Sequence, residues 1–187
     1  ITIEAVTPGT ERDDFIVWGA SAGGGQGDAG IAGSVAINIV YISTEASART
    51  GSTLKSTGIL KVDAETDLGF QTLAASAGFS TGDAGVGAAV AITLIDGVND
   101  GPVTTAYIAG TANATGALSV TAETDLIPGT FHMDLCGIEV NMDLTSTAIA
   151  GGATTGSAGI AAAATINIFY LTTTAYIADG AQINKDG

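Results

Sequence analysis

The sequence predicts an all-β chain, a β-solenoid or parallel β-helix-like rod of about three ~58-residue repeats. Three observations carry that prediction. Apolar content is 46%, drawn from Ala, Val and Ile with only 5% aromatics, and 27 glycines stand beside five basic residues, a composition of strands and tight turns rather than of helical bundles. A glycine turn running into a strand of small and branched apolar residues occurs three times, as Gly27 to Val40, Gly82 to Ile95 and Gly156 to Phe169. A second segment recurs with it: Leu60-Lys61-Val62-Asp63-Ala64-Glu65-Thr66-Asp67-Leu68 and Leu118-Ser119-Val120-Thr121-Ala122-Glu123-Thr124-Asp125-Leu126 match Ile1-Thr2-Ile3-Glu4-Ala5, with Leu60 and Leu118 standing as the successive equivalents of Ile1.

Taken in order, Ile1 to Ala5 alternates apolar and polar as a half-buried strand does, and Pro8-Gly9 closes it with a turn. The glycine-led strand follows, and then a third block, Ser43 to Ala48, Thr104 to Ala109 and Thr173 to Ala178, leads into a Gly- or Asn-containing turn. The repeats are expected at approximately 1–59, 60–117 and 118–187, in a single segment. A period near 58 is long for one coil and divides into about three segments of 19, so nine or ten coils are expected, each adding ~4.8 Å along the rod. In such a rod a run like Gly87-Ala88-Ala89-Val90-Ala91-Ile92 is suited to a narrow interior that admits Ala, Val and Ile but not large aromatics. The glycine ahead of it is expected to supply a positive φ or a close backbone approach at a corner, and recurring Thr and Asn to stack into ladders.

Spacing also marks insertions. The step from the Gly-Asp turn back to the preceding Asp-Leu is more than twice as long in the third repeat (Asp125 to Gly156) as in the second (Asp67 to Gly82), which places extra residues in the third repeat near 128–145. The second repeat inserts Asp96 to Pro102, where the third passes directly from Tyr170 to Thr172. Gln182 to Gly187 matches the residues preceding Leu60 and Leu118, so the chain reads as a whole number of repeats from a longer array, or as a subunit whose ends stack on the next copy.

Nineteen acidic against five basic residues, a net charge of −14, disfavour nucleic acid and anionic membranes. The longest apolar run, Ala158 to Leu171, falls short of a spanning helix. A single cysteine, Cys136, excludes an intrachain disulfide. Four constellations invite chemistry and each has a blander reading. Gly23 to Gly30 glances at a calcium-binding nonapeptide, but Asp28 comes one residue early and the later copies offer Asp83 and then Ser157, so plain turns are expected. His132, Asp134 and Cys136 alternate in the insertion as metal ligands or a nucleophile and base would, yet occur once. Glu65 with Glu123 and Asp67 with Asp125 resemble glycosidase acid pairs; with three coils per repeat they would lie ~14 Å apart and form only a solvated face. Trp18 could stack on a sugar but is expected in core or end packing, and the Thr104-Thr105 and Thr172 to Thr174 array is broken by Ser43-Thr44-Glu45. No catalytic residue, cofactor or metal is expected.

The run Gly85-Val86-Gly87-Ala88-Ala89-Val90-Ala91-Ile92, followed by Thr104-Thr105-Ala106-Tyr107-Ile108-Ala109 and then Leu118-Ser119-Val120-Thr121-Ala122-Glu123-Thr124, resembles the repeats of large bacterial filamentous adhesins of the haemagglutinin and leukotoxin type. The likeness spans nearly the whole chain outside 128–145 and implies a secreted, elongated β-solenoid at the bacterial cell surface, with no catalytic residues to carry over. The expected role is thus a non-enzymatic structural or adhesive segment of an extracellular protein. Self-association through solenoid ends or neighbouring repeats is expected, and a cell-surface glycan or protein is a further candidate partner. The alternatives are a subunit that polymerises end to end into a fibre or sheath, and a polysaccharide-acting β-helix enzyme.

Overall fold

The computed structural model describes residues 1–7, 12–128, 130–135, 138–143 and 146–184, with backbone alone between 128 and 143. The Pro8-Gly9 turn expected from the sequence lies outside the described residues. The first repeat contributes β1 (Thr2–Val6), β2 (Asp13–Gly25), β3 (Ala29–Ile42), β4 (Thr44–Ala48) and β5 (Thr53–Ser56). The second contributes β6 (Leu60–Ser80), β7 (Ala84–Gly97), β8 (Thr104–Ile108) and β9 (Thr111–Ala114), and the third β10 (Leu118–Pro128), β11 (Thr130–Leu135), β12 (Ile138–Asp143), β13 (Ser146–Thr154), β14 (Ala158–Tyr170), β15 (Thr173–Ile177) and β16 (Gln182–Ile183). Among the described residues the single helical element is the 3-10 turn Val98–Asp100. The chain is all-β, and its repeats pair in parallel.

Each strand of the second repeat is flanked by its counterparts. β6 lies between β1 with β2 on one side and β10 with β13 on the other, β7 between β3 and β14, β8 between β4 and β15, and β9 between β5 and β16. The register sets like on like: Ala29, Ala84 and Ala158 are partners, as are Gly30, Gly85 and Gly159, and Thr44, Thr104 and Thr173. The expectation of three coils per repeat is therefore corrected. Leu118 pairs directly with Leu60, its equivalent one full repeat earlier, so a whole repeat is the stacking layer and three layers are present. The physical reason is that the long strand β6 and the returning strand β7 pack face to face, which lets one layer consume far more chain than a compact triangular coil.

The core between the β6 sheet and the β7, β8 and β9 sheets that face it tapers toward the Gly-Asp turn. At its broad end Leu60, Val62, Ala64, Ala106 and Ile108 form one buried cluster, and Leu68, Phe70, Ile95, Val40 and Val103 the next. Further along, Thr72 and Thr93 share a buried hydroxyl contact of 2.7 Å, then Ala36, Ala74, Ala89 and Ala91 meet. At the narrow end a Cβ on Gly78 would overlap the carbonyl of Val86. Side-chain size falls from phenylalanine at Phe70 to bare glycine at Gly78 because the two backbones converge. Phe70 is fully buried where the wedge is wide, which corrects the expectation that large aromatics are kept out. The glycine-led strand also alternates: Ala89, Ala91 and Thr93 point inward, whereas Ile31, Val35, Ile37 and Ile39 on the neighbouring strand face out.

Glycines of the Gly-Asp turn serve close approach. No positive φ occurs there; Gly51 and Gly180 are the glycines with positive φ among the described residues. A Cβ on Gly82 would run into the backbone of Gly27 and Asp28, and one on Gly156 into that of Gly82 and Asp83, so each turn rests on the one before it. Amide to carbonyl hydrogen bonds from Ala84 to Asp28 (2.8 Å) and from Ala158 to Asp83 (2.9 Å) join them.

Pro128 pairs with Phe70, whereas Ser146 pairs with Thr72, so the third repeat spends a long excursion between two positions that are nearly adjacent in the second. The excursion carries the antiparallel hairpin β11–β12. The first repeat shifts its register at nearly the same place: Val6 pairs with Glu65 and Asp13 with Leu68, so it too holds extra chain between β1 and β2.

Candidate functional site

In-register pairing brings together residues that a shorter coil would have kept apart. Glu65 partners Glu123, and Asp67 partners Asp125, on the neighbouring strands β6 and β10, which sets their backbones about 4.8 Å apart. The ~14 Å separation expected from three coils per repeat is thus corrected, and with it the distance objection to paired carboxylates. Glu4 and Asp63 extend the acidic row toward the strand starts. Lys61 Nζ binds Asp63 Oδ2 at 2.6 Å, and the Thr121 hydroxyl donates to Asp63 Oδ1. These two donors, Lys61 first, hold the Asp63 carboxyl below its ordinary value. Glu65 is raised above its own, by burial first and then by the like charges of Asp67, Glu123, Asp63 and Asp125. The acids stand on the outer side of a continuous sheet, so the arrangement offers two rows of oxygens without walls around a substrate. Glu65 borders one shallow recess of about 360 Å³, with Asp13, Glu45 and Thr44.

Other candidates are dispersed. His132 and Asp134 occupy β11, opposite Asn141 and Glu139 of β12, and Cys136 lies outside the described residues. Asp28 and Asp83 hold equivalent places in stacked turns. Among the described residues no group of three or more His, Cys, Asp or Glu could hold a metal ion, and no helix is long and apolar enough to cross a membrane. Trp18 is 61% exposed, which corrects its expected place in core or end packing. Its indole N–H donates to Gln71 Oε1 at 3.3 Å on the outer side of β2 and β6.

Threonine stacking runs through the interior. Thr104 donates to Thr66 at 2.7 Å, contacts Thr124 at 2.6 Å, and Thr124 contacts Thr173 at 2.7 Å. Each hydroxyl has one proton, so the donation runs from Thr173 through Thr124 and Thr104 to Thr66. Tyr107 and Tyr176 stack on the surface with centroids 5.2 Å apart and planes 10° from parallel. In the first repeat Ser47 takes that place and donates to Glu45, which also accepts from Arg49 and from the Tyr107 hydroxyl.

What the sequence reading missed is the outward face of β3, β7 and β14. Ile31, Val35, Ile37, Ile39, Ile160, Ile166 and Ile168 are all well exposed there, on adjacent strands. Alternation in Gly30 to Val40 was the available signal, because Ile31, Val35, Ile37 and Ile39 share one parity, interrupted by Gly33, and Ala32, Ser34 and Ala36 the other. No protein-family model matches the chain, and neither does any curated protein or solved structure.

Proposed function

We propose that the chain is a stacking segment of a β-solenoid, serving as a non-enzymatic structural or adhesive part of an extracellular bacterial surface protein of the filamentous adhesin type. The observation that supports this reading best is the state of the third layer's interior. Ile177 is 49% exposed although its register partner Ile108 is wholly buried, and Phe169 is 38% exposed where its partner Ile95 is wholly buried. Both side chains hold interior positions by register, and a further layer with the same pattern would cover them. Like-on-like register favours such growth, since a layer with the same sequence pattern supplies the same ladders.

A second copy of residues 60–117 fused after the third repeat tests the reading. Covering Ile177 and Phe169 is expected to add on the order of 1 kcal/mol for each half-exposed side chain, plus a new set of ladder hydrogen bonds, and to raise the urea midpoint. An unchanged midpoint, with the added repeat unstructured by circular dichroism, would overturn it. Self-polymerisation into a fibre or sheath is the second reading, favoured by the same uncovered interior. Electron micrographs over rising concentration would then show rods that lengthen in wild type and stay short in Ile177→Glu.

A further inference from the structure

The likenesses of the third layer fall into two sets. Its β10 and β15 repeat the second layer, on which they lie, as where Thr173-Thr174-Ala175-Tyr176-Ile177 stands on Thr104-Thr105-Ala106-Tyr107-Ile108. Its β14 and the turn after β15 repeat the first layer instead, which the second holds apart from it. Ile37-Asn38-Ile39-Val40-Tyr41 of β3 and Ile166-Asn167-Ile168-Phe169-Tyr170 of β14 differ only at Val40 and Phe169, whereas β7 carries Ile92-Thr93-Leu94-Ile95-Asp96 in the same register. Between β4 and β5 the chain turns through Arg49 to Ser52, and between β15 and β16 through Ala178 to Ala181, where the second layer spends only Ala109 and Gly110. Both longer turns close with the last amide donating to the first carbonyl (3.0 and 3.1 Å), and both hold a positive-φ glycine, Gly51 at 84° and Gly180 at 82°.

We propose that the second set meets between copies: the first layer of one chain lies on the third layer of another, parallel and in register, with Asn38 over Asn167 and Tyr41 over Tyr170. This pairing rests on the end-to-end reading above and adds which layer meets which, and in what register. Like on like is already the rule of stacking within the chain. Tyr107 and Tyr176, in register on neighbouring layers, stack with centroids 5.2 Å apart, and Tyr41 and Tyr170, 60% and 61% exposed, would do the same across the junction. Asn38 is turned inward, 5% exposed, and donates to the Phe15 carbonyl at 3.0 Å; Asn167 beneath it would continue that row as an amide ladder, each amide offering both donor and acceptor. Ile177 would meet Ala48 as Ile108 meets it in the chain.

Charge selects the same occupant. Glu4, Asp28 and Glu45 of the first layer have Thr121, Ser157 and Thr174 as their third-layer equivalents, hydroxyls able to donate to them as Thr121 donates to Asp63. Glu123 would meet Val6. A layer of the second repeat's pattern in that place would set Glu65 on Glu123 and Asp67 on Asp125, adding like charges directly opposite one another.

Disulfide trapping of the 187-residue chain tests the pairing. Ile39→Cys and Ile168→Cys are placed in separate chains, both with Cys136→Ser, because the two positions are register equivalents on the exposed side of β3 and β14. In-register neighbours stand ~4.8 Å apart, within the roughly 4.4–6.8 Å that a disulfide spans. Mixed at high micromolar concentration and oxidised in air with copper phenanthroline, the two are expected to give a covalent dimer, and either alone less than about a tenth as much. Ile37→Cys in place of Ile39→Cys moves the thiol two residues along the strand, to ~8 Å, and is expected to lower the yield about tenfold. Thermal melts verify that each variant is folded, and sedimentation equilibrium follows association without oxidant. Covalent dimers from one variant alone, or an equal yield from Ile37→Cys, would overturn the pairing. Rods that lengthen with concentration but give no mixed dimer would overturn it and leave the end-to-end reading standing, whereas monomers up to millimolar concentration would overturn both.

Discussion

Gly78→Ala probes the convergence of the two sheets most directly. A Cβ at this position would overlap the Val86 carbonyl oxygen, with the carbonyl carbon 2.5 Å and the amide nitrogen 2.8 Å away. Restoring an ordinary carbon contact near 3.5 Å requires the backbones to part by about 1 Å, and a gap of that size forfeits up to about half of each neighbouring dispersion contact. The atoms the Cβ meets are those of the Val86 backbone, which has no flexible end that could give way. Overpacking against rigid backbone therefore belongs at the upper end of its usual range, about 3 kcal/mol. Loss of unfolded-state entropy returns about 0.7 kcal/mol, leaving a net destabilisation of about 2 kcal/mol. With a slope of roughly 2.5 kcal/mol per molar urea, the midpoint falls by about 0.8 M. Gly24→Ala is the matched control, because nothing lies within 4 Å of its Cβ and its φ is not positive. It is expected to be neutral or stabilising by up to about 1 kcal/mol. Equal midpoints for the two variants would refute the claim that glycine is required here for sheet approach.

Two further outcomes follow from the buried and acidic rows. Thr72→Val leaves the wholly buried Thr93 hydroxyl without its partner and is expected to cost about 1–3 kcal/mol, whereas the double change with Thr93→Val is expected to be closer to neutral; a double-mutant cycle by urea denaturation measures the difference. For the acids the two shifts oppose. Glu65 is raised, so the folded state holds its proton at a pH where the unfolded chain has lost it; its penalty is fully present above the folded value and disappears as pH falls to the ordinary 4.5. Asp63 and Glu45 are lowered, so the stability they add is present above their ordinary values of 3.8 and 4.5 and is lost as pH falls through the folded ones. Glu45 owes its shift to the Ser47 hydroxyl first, against some burial, and then to Arg49 and Tyr107. Stability is therefore expected to rise on mild acidification from neutrality and then fall. Glu65→Gln should raise stability at pH 7 and flatten the first limb, and a melting profile identical to wild type would contradict the assigned cause.

Much of this architecture was legible because repetition is visible without any folding model. The threefold glycine-led strand, the insertion in the third repeat and the extra corner around Val98 were all readable by comparing equivalents, and the register reproduces them. Layer size was not, because nothing local announces where a chain reverses. The decisive signal lay in the same repeats: parallel in-register stacking sets like on like, as at Gly30, Gly85 and Gly159, and no comparable likeness recurs at a third of that spacing. The acid rows were misjudged as a consequence, since their spacing was scaled from the wrong layer. Outward placement of Ile31 and Val35 was hidden for a different reason. Apolar side chains are ordinarily assigned to the core, yet here the inward positions of the converging stretch are taken by smaller residues such as Ala36, Ala89, Ala91 and Thr93.

The parallel pairing of successive repeats has a mechanical consequence. Hydrogen bonds between layers all point along the stack, so tension applied along that direction loads them lengthwise, and a terminal layer, with one neighbour, yields before a middle one with two. Each layer released would free one whole repeat, on the order of 200 Å of extended chain. A stack of this kind under load would lengthen in discrete steps while the remaining layers keep their form.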